Sequence, residues 1–259
     1  MFQQQGIKAL NYATGLTIYN LLLIGVYPAI SQSQVVTELS MNLPNSVKRV
    51  FGVTSDSELD RFESYVSSQC FGRVWLLVTG IYTISTADAL IAGLVDQGAM
   101  AYLLSSSVGR LEVLSTQVAV LVSGLALLMS LTVLGIWGET ALFAIPINRW
   151  SYFRLGVLGF ALFLAVGAYS LFFSVLFNTE EPTILSASSL TFLWYALDVF
   201  SELNDQFLWV KNLTIFGWVR PQTVLDGEVP TIPTLGLFGL STILIALAGY
   251  IFSHKDIHV

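Results

Sequence analysis

Residues 113–138 read VLSTQVAVLVSGLALLMSLTVLGIWG, 26 consecutive positions without Asp, Glu, Lys or Arg. A helix that crosses the hydrocarbon core of a bilayer needs about 20 mostly apolar residues, at a rise of about 1.5 Å each. Helices in the core of a soluble domain rarely stay uncharged for so long. This stretch therefore predicts a transmembrane helix.

The same pattern recurs on both sides of this stretch. No charged side chain occurs over 9–37, 155–179 or 229–254, and 74–95 and 182–201 carry one acidic residue each, Asp88 and Asp198. Together these stretches predict six spans. We place them at about 13–31, 73–95, 113–137, 154–177, 183–203 and 233–252.

The composition agrees with an all-α integral membrane protein that forms one domain over 1–259. Hydrophobic residues make up 54% and charged residues 11%, against about 25% charged residues in soluble domains. Residues 2–12 are expected to form an amphipathic helix on the membrane surface. The aromatic segment before the last span, with Trp209 and Trp218, is expected to be interfacial or re-entrant and extracellular.

Several classes of function leave no trace in the chain. None of the four lysines follows a glycine, so the nucleotide-binding pattern G-x-x-x-x-G-K-[ST] is absent. Patterns typical of membrane hydrolases are absent too. His254 and His258 lie in the tail without another ligand nearby in sequence, so no metal site is predicted. A net charge of −6 gives no footprint for nucleic acid. We expect a chain that is not an enzyme and binds no cofactor itself.

The link between the second and third spans, 96–110, carries the most information. Met100, Leu103 and Leu104 have i, i+3, i+4 spacing, which gives an apolar helix face. Such a face can dock into a groove on another protein and act as a lever. A membrane-surface helix without a partner is the alternative.

The stretch from 92 to 110 reads AGLVDQGAMAYLLSSSVGR. It resembles the AGE-x-x-x-GT-x-x-x-LLS-x-P-x-x-R stretch of permeases in type-2 ATP-binding-cassette (ABC) exporters. The matching positions are Gly98, Leu103, Leu104, Ser105 and Arg110, and the departures are Leu94, Ala99 and Ser107. Val26-Tyr27-Pro28 in the first span and 213–225 before the last span are also similar to segments of that family.

The resemblance implies a permease subunit of an ATP-driven exporter for a hydrophobic or amphipathic substrate, such as a peptide, a drug or a lipid-like molecule. The partners would be two ATPase subunits, which bind ATP and Mg, and a second permease, identical or related. The residues implied in coupling to the ATPase are Asp96, Gln97, Gly98, Met100, Tyr102, Leu103, Leu104, Ser105 and Arg110.

The resemblance also implies a location in the cell membrane, in a bacterial plasma membrane, with both termini in the cytoplasm. That orientation puts Lys8, Arg110 and Lys255 inside. The other basic residues are then outside: Lys48, Arg49, Arg61, Arg73, Arg149, Arg154, Lys211 and Arg220. Three basic residues inside and eight outside is the opposite of the positive-inside tendency. The resemblance favours cytoplasmic termini, and the charge count favours the reverse.

Asp88 and Asp198 are acidic residues within predicted spans. A charge in hydrocarbon is costly, so such residues usually face a cavity or a partner. Asp88 is expected either to line a substrate path or to make a polar contact between helices. The rival class of protein is a secondary transporter or channel that uses both residues to couple ions. That class often shows inverted repeats, which the two halves of this chain do not display.

Overall fold

The computed structural model describes residues 2–31, 62–100, 109–203 and 207–254, and the regular structure in these ranges is helical throughout. The first half contains α1 (Phe2–Ser31), α2 (Phe62–Val66), a π-helical segment (Ser67–Val74), α3 (Trp75–Leu90), α4 (Ala92–Asp96) and α5 (Arg110–Leu142). The second half contains α6 (Arg149–Phe177), α7 (Glu180–Leu203), α8 (Leu208–Lys211), α9 (Pro221–Leu225) and α10 (Thr231–His254).

Six of the described helical stretches are long and apolar enough to cross a membrane. They are Gln5–Pro28, Phe62–Leu90, Arg110–Leu142, Arg149–Phe177, Glu180–Ser201 and Thr231–His254. The predicted all-α architecture with six apolar helices of membrane-crossing length is confirmed.

The N-terminal helix differs from the expected arrangement. Residues 2–12 do not form a separate surface helix, because they are the first turns of the 30-residue helix α1. The cause is a continuous inward stripe along α1. Its buried residues recur at helical spacing through residues 2–12 and through the predicted first span: Ala9, Ala13, Leu16, Asn20 and Ile24.

The second span begins earlier than predicted, at Phe62 instead of 73. The polar run Ser67-Ser68-Gln69 argues for a loop by composition, but it continues the helix as the π-helical segment. Tyr65, Val66 and Cys70 are buried in the core around it. Tertiary packing therefore overrides the local polarity.

Helix α6 is the centre of the bundle and packs against α3, α5, α7 and α10. Glycines permit the close approach. A Cβ at Gly156 would lie 2.6 Å from a methyl of Val133, and one at Gly159 would lie 2.6 Å from Cζ2 of Trp75. Trp75 also meets Phe163 of α6 edge to face, with ring centroids 5.2 Å apart. Small residues of α6 therefore let the neighbouring side chains pack closely against it.

The outer helices α1, α7 and α10 carry large exposed apolar side chains, among them Leu22, Leu185, Phe192, Ile232 and Leu235. Water-facing helices would carry charge there, whereas hydrocarbon accepts apolar groups. The chain thus has the build of a multi-pass membrane protein.

The bundle has two ends, which we name here. The link end holds α4, the first turn of α5, the last turn of α6 and the first turn of α7. The far end holds α2, the first turn of α6, and the segment 207–230 with α8 and α9. Within that segment Phe216 is buried and meets Tyr195 of α7 edge to face at 6.0 Å.

Candidate functional site

The second span breaks at Ile91, immediately before the link. Ile91 has φ −131° and ψ −66°, which ends α3 at Leu90 and lets α4 begin at Ala92. The N–H of Ala92 donates to Oγ of Ser174 at 2.8 Å, and that hydroxyl lies 3.5 Å from the Asp88 carbonyl oxygen that accepts from it. Because a buried backbone N–H needs an acceptor, Ser174 on α6 stabilises the break.

A second contact fastens the end of α4 to the start of α7. The backbone N–H of Glu180 donates to Oδ2 of Asp96 at 2.7 Å. A carboxylate at a helix N-terminus satisfies one of the unpaired N–H groups and interacts favourably with the helix dipole. The Glu180 carboxylate lies over the backbone of Gly93, since a Cβ at Gly93 would be 2.9 Å from its Oε1.

Charged side chains gather around these two contacts. Asp88 interacts electrostatically with Glu180, Asp96 and Lys8, the last contributed by α1. Asp88 is only 4% exposed, and its Oδ1 has no hydrogen-bond partner among the described residues. No cluster of three or more metal-ligating side chains is found in the described ranges. The described charged groups that interact with Asp88 are therefore two acids and one lysine.

The structure describes part of the predicted coupling set. Asp96 and Gln97 are exposed at the end of α4, Gly98 turns the chain with φ +67°, and Arg110 begins α5. Tyr102, Leu103, Leu104 and Ser105 lie outside the described residues. The predicted docking face can thus be compared with the structure at Met100 alone.

Met100 does not occupy the position expected of a docking anchor. Its side chain is fully buried and belongs to the hydrophobic core of this chain. The unbranched thioether fills space in the bundle, as methionine commonly does in cores. Met100 therefore lies in the core of this chain.

The structure does not bring Asp88 and Asp198 together. Asp88 lies at the link end, whereas Asp198 lies 18 residues beyond the start of α7, roughly 27 Å along the helix axis at 1.5 Å per residue. There its Oδ1 lies 3.5 Å from the Thr214 hydroxyl that donates to it. A single ion site that uses both carboxylates is incompatible with this spacing.

One buried acid was missed by sequence reasoning. Glu139 lies in the last turns of α5, is 4% exposed, and has no hydrogen-bond partner for either carboxylate oxygen among the described residues. It directly follows the charge-free stretch, and no proline stops the helix before Pro146. Continuing the helix to the next breaker would have placed Glu139 inside the third span.

No family model, curated protein or solved structure matches the chain. The fold defines its class as a helical, multi-pass membrane protein. Any narrower function depends on the link and the contacts that hold it.

Proposed function

We propose that this chain is the permease subunit of a type-2 ABC exporter and that the link 96–110 docks on a separate ATPase subunit. The observation that carries the proposal is the double attachment of α4, the helix that leads into the link: the Ala92 N–H donates to Ser174, and Asp96, where the link begins, accepts from the Glu180 N–H. The choice of family rests on the resemblance of the link sequence to that of ABC permeases.

The attachments suggest how a push on the link reaches the spans. Asp96 connects the link to the first turn of α7, and the break at Ile91 connects it to α6 through Ser174. Closure of two ATPases on ATP and Mg would displace the exposed Gln97 and the turn at Gly98. The displacement would then tilt α6 and α7 together, because both helices hold the link.

The proposed assembly has two ATPases and a second permease, identical or related, in the cell membrane with both termini in the cytoplasm. The permeases form the pathway for a hydrophobic or amphipathic cargo. This chain performs no chemistry in that scheme. Its part is to convert movement at the link end into movement of its spans.

Co-purification tests the proposal. The tagged full chain, extracted in mild detergent, is expected to bring down a protein that contains G-x-x-x-x-G-K-[ST] and hydrolyses ATP. Gln97→Trp adds bulk at an exposed position of the link and should reduce recovery of that protein. Leu142→Trp, at a position that is also exposed but lies at the far end, is the matched control. Equal recovery with both variants, or no ATPase at all, contradicts the proposal.

A second candidate, secondary transport, rests on the buried Oδ1 of Asp88, which has no hydrogen-bond partner among the described residues. An acid of this kind is typical of proton or cation relays. The two candidates differ in their energy source. Under our proposal, transport stops on ATP depletion, survives ionophores that collapse ion gradients, and persists in Asp88→Asn. Loss of transport with ionophores and in Asp88→Asn would favour the second candidate.

A further inference from the structure

A cavity of about 420 Å³ lies at the far end, between α6, the segment after α8 and the first turns of α10. Its lining combines polar, charged and apolar groups, including Asn212, Trp218, Arg220, Glu228 and Ile232. Ordinary packing defects in a bundle are apolar. A cavity with charged walls at the end of a membrane bundle indicates a ligand that has both a charged and an apolar part.

The cavity presents one positive and one negative side chain. Arg220 donates a hydrogen bond from Nε to the carbonyl oxygen of Gly217 at 3.4 Å. The Glu228 carboxylate forms no ion pair or hydrogen bond with the described residues. Both side chains are exposed. A positive and a negative side chain that line one cavity without pairing with each other are complementary to a ligand that carries both a negative and a positive charge.

The walls of the cavity are held in place by the surrounding residues. Arg154 of α6 donates from Nη1 to the carbonyl oxygen of Gly227 at 3.1 Å. Gly227 has φ +110°, a conformation that favours glycine, and it sets the direction of Glu228. On the other side Trp218 donates from Nε1 to the carbonyl oxygen of Asn212 at 2.8 Å. These hydrogen bonds therefore hold the backbone that carries Arg220 and Glu228 in place.

Apolar groups continue from the cavity along the bundle. Val229 and Ile232 are 62% and 85% exposed, and Ile232 lies in the first turn of α10, a helix of membrane-crossing length. The ring of Trp218 covers Gly236 one turn further on, where a Cβ would lie 2.7 Å from Cζ3. Tryptophan is enriched at the level of lipid headgroups. The polar cavity thus meets an apolar surface that acyl chains can follow.

We infer that this cavity binds the headgroup of a zwitterionic phospholipid with a primary ammonium group, its phosphate on Arg220 and its ammonium on Glu228. Guanidinium groups recognise phosphate oxygens through charge-assisted hydrogen bonds, and a carboxylate accepts from an ammonium. The acyl chains lie against Val229 and against Ile232 of α10. A purely anionic headgroup carries no positive group that could pair with the Glu228 carboxylate. The site goes beyond the proposed function and does not depend on it.

Lipid binding to the purified, delipidated full chain tests the inference by native mass spectrometry. Phosphatidylethanolamine is compared with phosphatidylglycerol of the same acyl chains. We expect phosphatidylethanolamine to bind in preference. Loss of one charge-assisted contact, in Arg220→Ala or Glu228→Gln, should weaken its binding at least about tenfold.

Two variants that remove a charge elsewhere serve as controls. Arg149→Ala removes an exposed positive charge at the same end, and Glu181→Gln removes an exposed negative charge at the link end. Both should bind phosphatidylethanolamine as the unmodified chain does, and water-soluble phosphoethanolamine should not displace the lipid. Equal binding of phosphatidylglycerol, equal losses in the controls, or displacement by phosphoethanolamine at the same concentration as the lipid would overturn the inference. Glu228→Gln keeps the shape of an exposed side chain, so its effect is separable from misfolding.

Discussion

The backbone N–H of Glu180 donates to Oδ2 of Asp96 across 84 residues of sequence, at 2.7 Å. This bond joins the start of the link, just after the second span, to the start of the fifth span. It makes the link part of the bundle and gives movement of the link a direct path to α7. The remaining contacts at the link end, from Ser174 and over Gly93, support the same connection.

Asp96→Ala is expected to loosen the start of α7. Removal of a side chain that caps a helix N-terminus typically costs about 0.5–2 kcal/mol. Hydrogen–deuterium exchange in detergent should show faster exchange at residues 179–184. In Asp96→Asn, whose amide oxygen still accepts a hydrogen bond, the exchange rate should lie between those of the unmodified chain and Asp96→Ala. Gln97→Ala, at the exposed neighbouring position, should leave the exchange rate unchanged. Unchanged exchange in Asp96→Ala would mean that the bond does not hold α7.

Ser174→Ala removes the acceptor for the Ala92 N–H at the break. A buried donor left without a partner costs about 1–3 kcal/mol. The midpoint of thermal unfolding in detergent should therefore fall. Ser170→Ala is the matched control, since Ser170 is equally buried and its hydroxyl donates only to the Val166 carbonyl of its own helix. Equal shifts in both variants would show that the break does not depend on Ser174.

Gly159→Ala is expected to disturb the contact of α3 with α6. The added methyl would overlap the Trp75 ring, and Trp75 is 2% exposed and hemmed in by Phe71 and Phe163. Overpacking of this kind costs about 1–3 kcal/mol. Gly239→Ala serves as the control, because its Cβ would meet nothing within 4 Å. Unfolding midpoints of the two variants decide the matter, and a stable Gly159→Ala would contradict the packing described here.

Labelling of single cysteines tests the orientation, on which the link motif and the charge count disagree. Cys70 is 1% exposed and is a poor reporter, so Cys70→Ala provides the background. Gln97→Cys and Glu228→Cys place thiols at exposed positions of opposite ends. In intact cells, a membrane-impermeant maleimide should label position 228 and spare position 97 until the cells are permeabilised. The reverse pattern would place the link outside the cell.

The six spans were predictable because hydrocarbon excludes charge, and this exclusion is visible in sequence as runs such as 113–138. The ends of the spans were less predictable. Phe62–Val66 and the π-helical segment contain Glu63, Ser67 and Gln69, and only the fold shows that their apolar neighbours are buried. Mean hydropathy averages over all residues of a helix, whereas only the residues on one face of the helix are buried.

The link was recognisable in sequence, but its attachments were not. Asp96 belonged to the predicted coupling set, yet its partner is the N–H of Glu180, a group that every residue except proline carries. Ser174 lies in the charge-free stretch 155–179, and nothing in the sequence singles it out. Its role depends on the break at Ile91, which no proline or glycine marks at that position. Bonds between backbone and side chain over 80 residues require the tertiary structure.

Photocrosslinking from Gln97 tests the central claim most directly. A benzophenone amino acid at this exposed position of the link, activated in cells, is expected to form an adduct with a protein that carries G-x-x-x-x-G-K-[ST]. The same amino acid at Leu142, exposed at the far end, should not form that adduct. If position 97 yields no adduct with an ATPase, or yields it no more than position 142, the link is not the docking site for a nucleotide-hydrolysing partner.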